Sequence, residues 1–348
     1  MVAETVKSLR AAVQSGHWVG QLPGERRLCE EWGISRPTLR AAQAVLAREG
    51  LLKVAHGCRT SIVGGQAQGD VAGPKPVALL SPEPLHAMPP FALLWLDELR
   101  VRLQAEGHQL QVHAGRTECA KKNPARALKA LVDSTPAAAW VLFQSTEAVQ
   151  RWFAEQQLPC LVVGSLFPGV SLPAVDRDYR AVCSHAVGHL VRRGHAHLAL
   201  LMHKEQFGGD HESLVGFREG LKAIQRRSVS GQVVFHDGTA TGLMRAVDSL
   251  LAMRPRPTAL MVARSSFALS AFSHLLGRGV QIPRDMAVLC RDDDGFLDHV
   301  VPRVARYTFS PEVFARHLGR QVLRLISEGA IKGSSVKVMP EFLRRESA

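Results

Sequence analysis

The stretch Leu22–Val63, LPGERRLCEEWGISRPTLRAAQAVLAREGLLKVAHGCRTSIV, decides the architecture of this chain. Apolar residues Leu28, Trp32, Ile34, Leu39, Ala42, Val45 and Leu46 recur at helical spacing, with one break at Gly33. Two short helices around a glycine turn fit that pattern. Gly24-Glu25 opens the first helix after Leu22-Pro23, and Gly33 suits the left-handed residue that ends it. Ser35 is a good N-cap for the second helix. Pro37 falls in its first turn, where a missing N–H costs nothing. That helix should run to about Glu49, with Gly50 terminating it. Leu51–Val54, the turn Ala55–Cys58 and Arg59–Val63 then read as two short strands around a glycine turn, a wing with His56 and Arg59 near its tip. Upstream, Val2–Val13 reads as an amphipathic helix with Val6, Leu9 and Val13 inward.

The charges on the second helix carry the functional signal. Arg36, Thr38 and Arg40 cluster at its N-terminal end, the end that a recognition helix pushes into a DNA major groove. Arginine grips guanine O6/N7 with two hydrogen bonds, and threonine contacts a base edge or a phosphate. Arg26, at the start of the preceding helix, is placed to reach the backbone. A solvated basic face explains any one of these arginines. It does not explain turn, cap, wing and basic residues in one register.

These residues resemble the winged helix-turn-helix of GntR-type bacterial regulators, with the typical signature LPSER-x-LA-x-x-x-GVSR-x-TVR, here LPGERRLCEEWGISRPTLR, and the later EGL and wing glycine. The segment SGHWVGQLPGE matches the entry to that signature. The resemblance implies DNA contacts from Arg26, Ser35, Arg36, Thr38 and Arg40, and a wing tip at His56 and Gly57 in the minor groove, beside Arg59. Pro37 departs from the usual Thr or Asp, which removes one contact and leaves the operator sequence open.

The chain has 348 residues, enough for two or three domains. Its formal net charge of +12 suits a polyanionic partner. Residues 1–63 hold nine Lys/Arg against five Asp/Glu, a net of only +4, so the motif is the stronger argument. The cysteines Cys29, Cys58, Cys119, Cys160, Cys183 and Cys290 form no CxxC pair and read as reduced thiols. No apolar run approaches a membrane span and no signal peptide is evident, so a cytoplasmic location is expected.

Gly64–Pro76, GGQAQGDVAGPKP, reads as a linker between a 1–63 domain and a 77–345 domain. Beyond it, short apolar runs alternate with helical segments: PVALLS, helix 90–106, HQLQVHA, helix 123–133, AAWVLF, helix 146–157, PCLVVG, helix 179–193, HLALLM, helix 212–225, helix 240–253, TALMVA, helix 266–278, MAVLC and helix 311–328. This alternation predicts an α/β fold with parallel sheets in two lobes. Ligands in such sheets bind beyond the C-terminal strand ends, where Ser81, Gln144, Gly164, His203, Arg264 and Asp292 follow their strands.

The second half resembles the periplasmic-binding-protein-like effector domain of LacI/GalR-type regulators. The residues that carry this are AVDRDYRAVCSHAVGHLVRRGHAHLALL, SLVGFREGL and PTALMVARSSFALSAFSHLLGRGVQIPRDMAVLCRDDD. A GntR-type reader on a LacI-type sensor resembles the arabinose-repressor arrangement. The resemblance implies effector contacts at Ser81, Asp178, Ser213, Arg264, Arg291 and Asp292. Ser213 stands where the family has a sugar-gripping Arg, Arg264-Ser265 where it has Asn-Asp, and Cys290-Arg291 where it has Gly-aromatic. A neutral sugar, an acidic sugar or other anion drawn by Arg264 and Arg291, a protein effector, and a cleft that has lost its ligand all remain open.

Other signals are weaker. His185 and His189 lie four apart on a helix, but no third metal ligand is assured. Asp292–Gly295 lacks the alternating spacing of a calcium loop. No G-x-S-x-G, G-x-G-x-x-G or P-loop follows a strand. The expectation is a DNA-binding transcriptional regulator, a repressor in the commoner logic. It is a homodimer on a palindromic duplex operator, with a sugar or anionic sugar derivative as effector and no enzyme activity, cofactor, metal or membrane. A GntR-fused enzyme and a constitutive DNA binder with a decayed sensor are the alternatives.

Overall fold

The structure, a computed structural model, describes residues 2–14, 18, 22–53, 60–62, 75–115, 123–204, 207–224, 228–331, 333 and 335–348. It divides into two compact units, Met1–Gly73 and Pro74–Ala348. The expected linker lies outside the described residues apart from Lys75 and Pro76, and so do the wing-tip residues His56, Gly57 and Arg59.

In the first unit, α1 (Val2–Gln14), α2 (Glu25–Trp32) and α3 (Arg36–Arg48) precede β1 (Leu52–Lys53) and β2 (Ser61–Ile62), which pair antiparallel. Val6, Leu9, Val13, Leu22, Leu28, Leu39, Ala42, Leu46 and Leu52 form its core. Gly33 ends α2 in the left-handed conformation at φ 62°, as a turn this tight requires. The Ser35 hydroxyl caps α3 by accepting from the Thr38 amide. Arg10 clamps α1 to the end of α3 through both oxygens of Glu49, at 2.6 and 3.1 Å.

The second unit holds two six-stranded sheets. The first runs β13-β7-β6-β5-β3-β4 and is parallel throughout. It is built from β3 (Val77–Ser81), β4 (Leu110–Ala114), β5 (Ala139–Phe143), β6 (Cys160–Val163), β7 (Ala174–Arg177) and β13 (Ser335–Val338). The second runs β14-β12-β11-β10-β8-β9. It contains β8 (His197–His203), β9 (Ser230–His236), β10 (Ala259–Val262), β11 (Ala287–Cys290), β12 (Ala305–Thr308) and β14 (Glu341–Leu343), with only β14 antiparallel. Among the described residues the chain passes between the sheets three times: after β7, after β12 and after β13.

The helices are α4 (Pro90–Ala105), α5 (Ala125–Ser134), α6 (Glu147–Glu155), α7 (Tyr179–Arg192), α8 (Gly208–Ala223), α9 (Ala240–Ala252), α10 (Ser265–Gly277) and α11 (Pro311–Glu328). Successive strand residues face opposite ways, so a strand covered on both sides is apolar at every position. Val77, Leu79, Val141, Leu161 and Val163 of the first sheet join Leu198, Leu200, Met261 and Leu289 of the second in one core layer, packed against α4, α7 and α11. Their neighbours Ala78, Leu80, Trp140 and Leu142 face α5 and α6. Leu201, Leu260, Val262 and Val288 face α9 and α10.

Two sequence expectations need correction. The helix expected over 212–225 begins at Gly208, with Asp210 in its first turn accepting from the Phe207 amide at 3.2 Å. β7, β9, β12, β13 and β14 were not anticipated as strands, because AVDR, SGQVVFH, ARYT, SVKV and EFL mix polar and charged residues into short or edge segments.

Candidate functional sites

The exposed side of α3 presents Arg36, Pro37, Arg40, Ala41, Ala44 and Arg48, spaced at three and four residues, while Leu39, Ala42, Gln43 and Leu46 are buried. Arg36 stands at the first position of the helix with its side chain in solvent. Thr38 is half-buried, with its hydroxyl 2.8 Å from that of Ser35. Arg40 is held by Glu25, its nearest contact at 2.9 Å, and Arg26 by Glu30 at 3.0 Å. Both pairs are exposed and easily exchanged for a phosphate. The structure therefore brings Arg26, Ser35, Arg36, Thr38 and Arg40 onto neighbouring parts of α2 and α3.

In the second unit a cavity of about 480 Å³ opens beyond the C-terminal ends of β5, β6, β7, β10 and β11. That size lies inside the usual range of about 300–1,000 Å³ for small-molecule sites. The first sheet and its helices supply an aromatic wall of Phe91, Trp95, Phe143 and Phe314, together with Gln144, Ser165, Asp176 and Arg177. The second supplies Phe207–Asp210, Arg264–Ser266 and Arg291–Asp294. Gln144 holds a left-handed φ of 48° at the end of β5, a conformation that costs a non-glycine residue and is common where a side chain is aimed at a ligand.

Of the residues expected here, Arg264, Arg291 and Asp292 line the cavity. Ser81, Asp178 and Ser213 are placed outside its lining. The Ser81 hydroxyl donates to the Glu83 carbonyl, and the Asp178 carboxylate caps α7 through the Ala181 amide at 2.9 Å. The buried Ser213 hydroxyl donates to the Gly209 carbonyl and accepts from Arg291 at 2.8 Å. Gln144 and Gly164 line the cavity as their strand ends imply, whereas Ser81 and His203 do not. Sequence reasoning passed over Asp176, Arg177 and Asp210. The first two lie inside the quoted AVDRD and face the cavity from the end of β7. Asp210 sits in the GGD that opens α8.

The charged groups are tightly coupled. Arg291 bonds Asp210 at 2.9 Å and Asp292 at 3.3 Å, and Arg264 bonds Asp210 at 3.1 Å. Burial alone would raise the Asp210 carboxyl, but Arg291 and Arg264 outweigh it and hold it below the ordinary range. Arg291 and Arg177 do the same for Asp292. Asp176 is different. Burial pushes it up to about 6, against the Ser165 hydroxyl and the nearby Arg177 charge. Asp293 is tied to Arg306 and Thr308. Away from the cavity, the His185 ring bonds the Tyr307 hydroxyl at 2.7 Å, and His189 is lowered to about 4 by burial and by the neighbouring His185 and arginines. Among the described residues no group of three His, Cys, Asp or Glu stands close enough to hold a metal ion. No described helix is long and apolar enough to cross a membrane.

Comparison with known proteins matches both halves. Residues 2–62 match the gntR family of bacterial regulatory proteins, and residues 187–348 match the periplasmic binding protein-like domain. The chain thus pairs a segment matching a GntR-type DNA-binding model with one matching a periplasmic binding protein-like model, the second in a fold shared with solved LacI-family regulators. It is 24% identical over 200 residues to the probable HTH-type transcriptional repressor ExuR of Bacillus subtilis, covering 56% of this chain and 58% of that one. It is 26% identical over 209 residues to the HTH-type transcriptional regulator GntR of Pseudomonas aeruginosa, covering 59% and 60%. The chain thus spans less than two thirds of the length of these curated relatives. The regulator CelR, solved as a cellobiose complex, shares the fold across 94% of this chain and all of its own, with TM-score 0.66 and 19% identity.

Proposed function

We propose that this GntR/LacI-type chain is a transcriptional regulator that binds duplex DNA through α3 and is controlled by a small hydroxylated effector, a sugar or sugar-derived metabolite, in the second unit. The observation that carries the reading is the pairing in one chain of a capped helix with Arg36 and Arg40 outward and a 480 Å³ cavity of mixed aromatic and charged lining. Arg26, Ser35, Arg36, Thr38 and Arg40 are the proposed DNA contacts, joined by His56, Gly57 and Arg59 of the wing. Arg264, Arg291 and Asp292 are the proposed effector-site residues from the sequence, with Asp176, Arg177 and Gln144 added by the geometry.

A homodimer on a palindromic operator fits this reading, because two-fold protein symmetry is read as half-site symmetry. It is supported by exposed apolar side chains seven residues apart on two helices: Leu94 and Val101 on α4, 56% and 54% exposed, and Leu269 and Leu276 on α10. Selection of bound duplexes from a random pool, repeated with and without a sugar panel, tests the whole reading. An inverted-repeat consensus whose recovery changes with one sugar supports it. Recovery of no preferred sequence counts against it.

A further inference from the structure

Three guanidinium groups line the cavity, and they are not equivalent. Arg291 is 4% exposed. Its amine ends are taken by Asp210, Ser213 and Asp292, and its face lies 4.0 Å from the centre of the Tyr179 ring. It pins the wall and has little left to offer a ligand. Arg264 is 28% exposed and already donates to Asp210 at 3.1 Å. Arg177, 25% exposed, donates no hydrogen bond from its guanidinium to any described residue. Its nearest carboxylate oxygen, on Asp292, stands at 3.6 Å, an ion-pair distance too long for a hydrogen bond. Three rings, Phe91, Tyr179 and Phe309, hold its central carbon at 4.8–5.4 Å from their centres. The result is a rigid fork of unused N–H donors at the cavity wall.

The charge of the lining limits what that fork takes. It carries Arg177, Arg264 and Arg291 against Asp176, Asp210, Asp292, Asp293 and Asp294. From outside the lining Arg306 holds Asp293 but is shared with Asp298, and Lys337 acts on Asp176 while paired with Glu212 at 3.0 Å, so the carboxylates keep their excess. A carboxylate or phosphate entering this space adds negative charge to a wall that already has an excess of it, with water removed. A pair of neighbouring hydroxyls adds none. Its oxygens accept from Arg177, and its protons go to carboxylates of the lining, with Asp292 the one beside the guanidinium at 3.6 Å.

We infer that Arg177 is the specificity-determining donor of this site and that it selects an uncharged ligand with neighbouring hydroxyls over the corresponding acid. This rests on the effector reading above. Of the ligands left open by the sequence it favours the neutral sugar over an anion drawn by Arg264 and Arg291.

The test is titration calorimetry on the full chain with D-glucose, D-galactose, D-xylose and cellobiose, against D-glucuronate and D-galacturonate. One neutral sugar is expected to bind, with its acid counterpart at least tenfold weaker. Arg177→Gln is expected to weaken the neutral sugar by about 10- to 100-fold, the loss of one charge-assisted pair. Arg177→Lys, which keeps charge but loses the fork, falls between. A deoxy analogue lacking one gripped oxygen separates contact from general disturbance: it binds the wild type and Arg177→Gln alike, whereas a structural defect weakens both ligands in proportion. Tighter binding of the acid overturns the inference, as does an unchanged affinity in Arg177→Gln, and in either case the effector reading stands. A wild type silent to every sugar and acid overturns both.

Discussion

The guanidinium of Arg291 stands 2.8 Å from the hydroxyl of Ser213. The two residues come from a strand end of the second sheet and α8, and the resemblance read from the sequence implies an arginine at the serine's position. A small side chain at 213 leaves room for a guanidinium delivered from 291, where it is locked between Asp210 and Asp292. The positive charge at this corner of the cavity is thus supplied from 291.

Removing Arg291 leaves the buried Asp210 short of one partner and Asp292 short of another. Arg291→Leu should therefore lower stability by about 3–5 kcal/mol, the usual cost of breaking a buried pair from one side. Urea unfolding followed by tryptophan fluorescence measures this. A loss below about 1 kcal/mol would show that water reaches these carboxylates.

Asp176 gives the pH dependence a definite sign. Its folded value, about 6, lies above its unfolded one, so the folded state holds the proton more tightly. The resulting penalty is absent below about pH 4, grows as pH rises, and is complete above about pH 6, on the order of 3 kcal/mol. Asp176→Asn has no such penalty. The stability of wild type relative to that variant should fall between pH 4 and 6 and then level off. A flat difference across that range would mean that Asp176 is solvated.

Gly216 lies where α7 crosses α8. A Cβ there would sit 2.2 Å from the Arg180 carbonyl oxygen, a backbone atom with no freedom to swing aside. Gly216→Ala should cost about 1–3 kcal/mol through overpacking and lower the melting temperature accordingly. An unchanged melting temperature would mean that the helices separate at little cost.

On the DNA side, Arg36→Ala should weaken binding to a selected duplex by about 1–3 kcal/mol if it reads a base, with relaxed preference at that position. Arg40→Ala breaks only an exposed pair with Glu25, so the fold should lose no more than about 1 kcal/mol while DNA affinity falls. Fluorescence anisotropy at several salt concentrations separates base readers from phosphate binders, since only the latter lower the salt slope by about one. Equal affinity of wild type and both variants would remove α3 as the reading helix.

The helix-turn-helix was legible because its punctuation is local. Gly33 must be left-handed and Ser35 must cap, and both do so from their own residue types. The interior strands were legible because burial on both faces forces unbroken apolar runs such as VALL and CLVV. β7 was not, since Asp176 and Arg177 interrupt its run, and the same two side chains line the cavity. The start of α8 was misplaced for a related reason. Gly208 and Gly209 read as loop, yet they are glycine because a Cβ would meet the Ser165 carbonyl at 2.4 Å and the Tyr179 ring at 2.7 Å. The charge balance of the cavity was beyond sequence reasoning altogether. Asp210 and Arg291 are far apart in the chain, and only the fold shows that they neutralise each other.

Because β13 pairs with β7 in the first sheet and β14 with β12 in the second, each lobe is closed by a strand that comes after most of the other lobe in sequence. Neither lobe can be excised as one continuous fragment. As the polypeptide leaves a ribosome, the first sheet waits with an open edge beside Ala174–Arg177 until Ser335–Val338 emerges, by which time the strands of the second sheet other than β14 are already out. The two lobes are thus completed almost together, and a stop before Ser335 leaves both incomplete at once. The cavity wall at Asp176 and Arg177 is finished only once Ser335–Val338 has been added, about 160 residues after the strand it flanks.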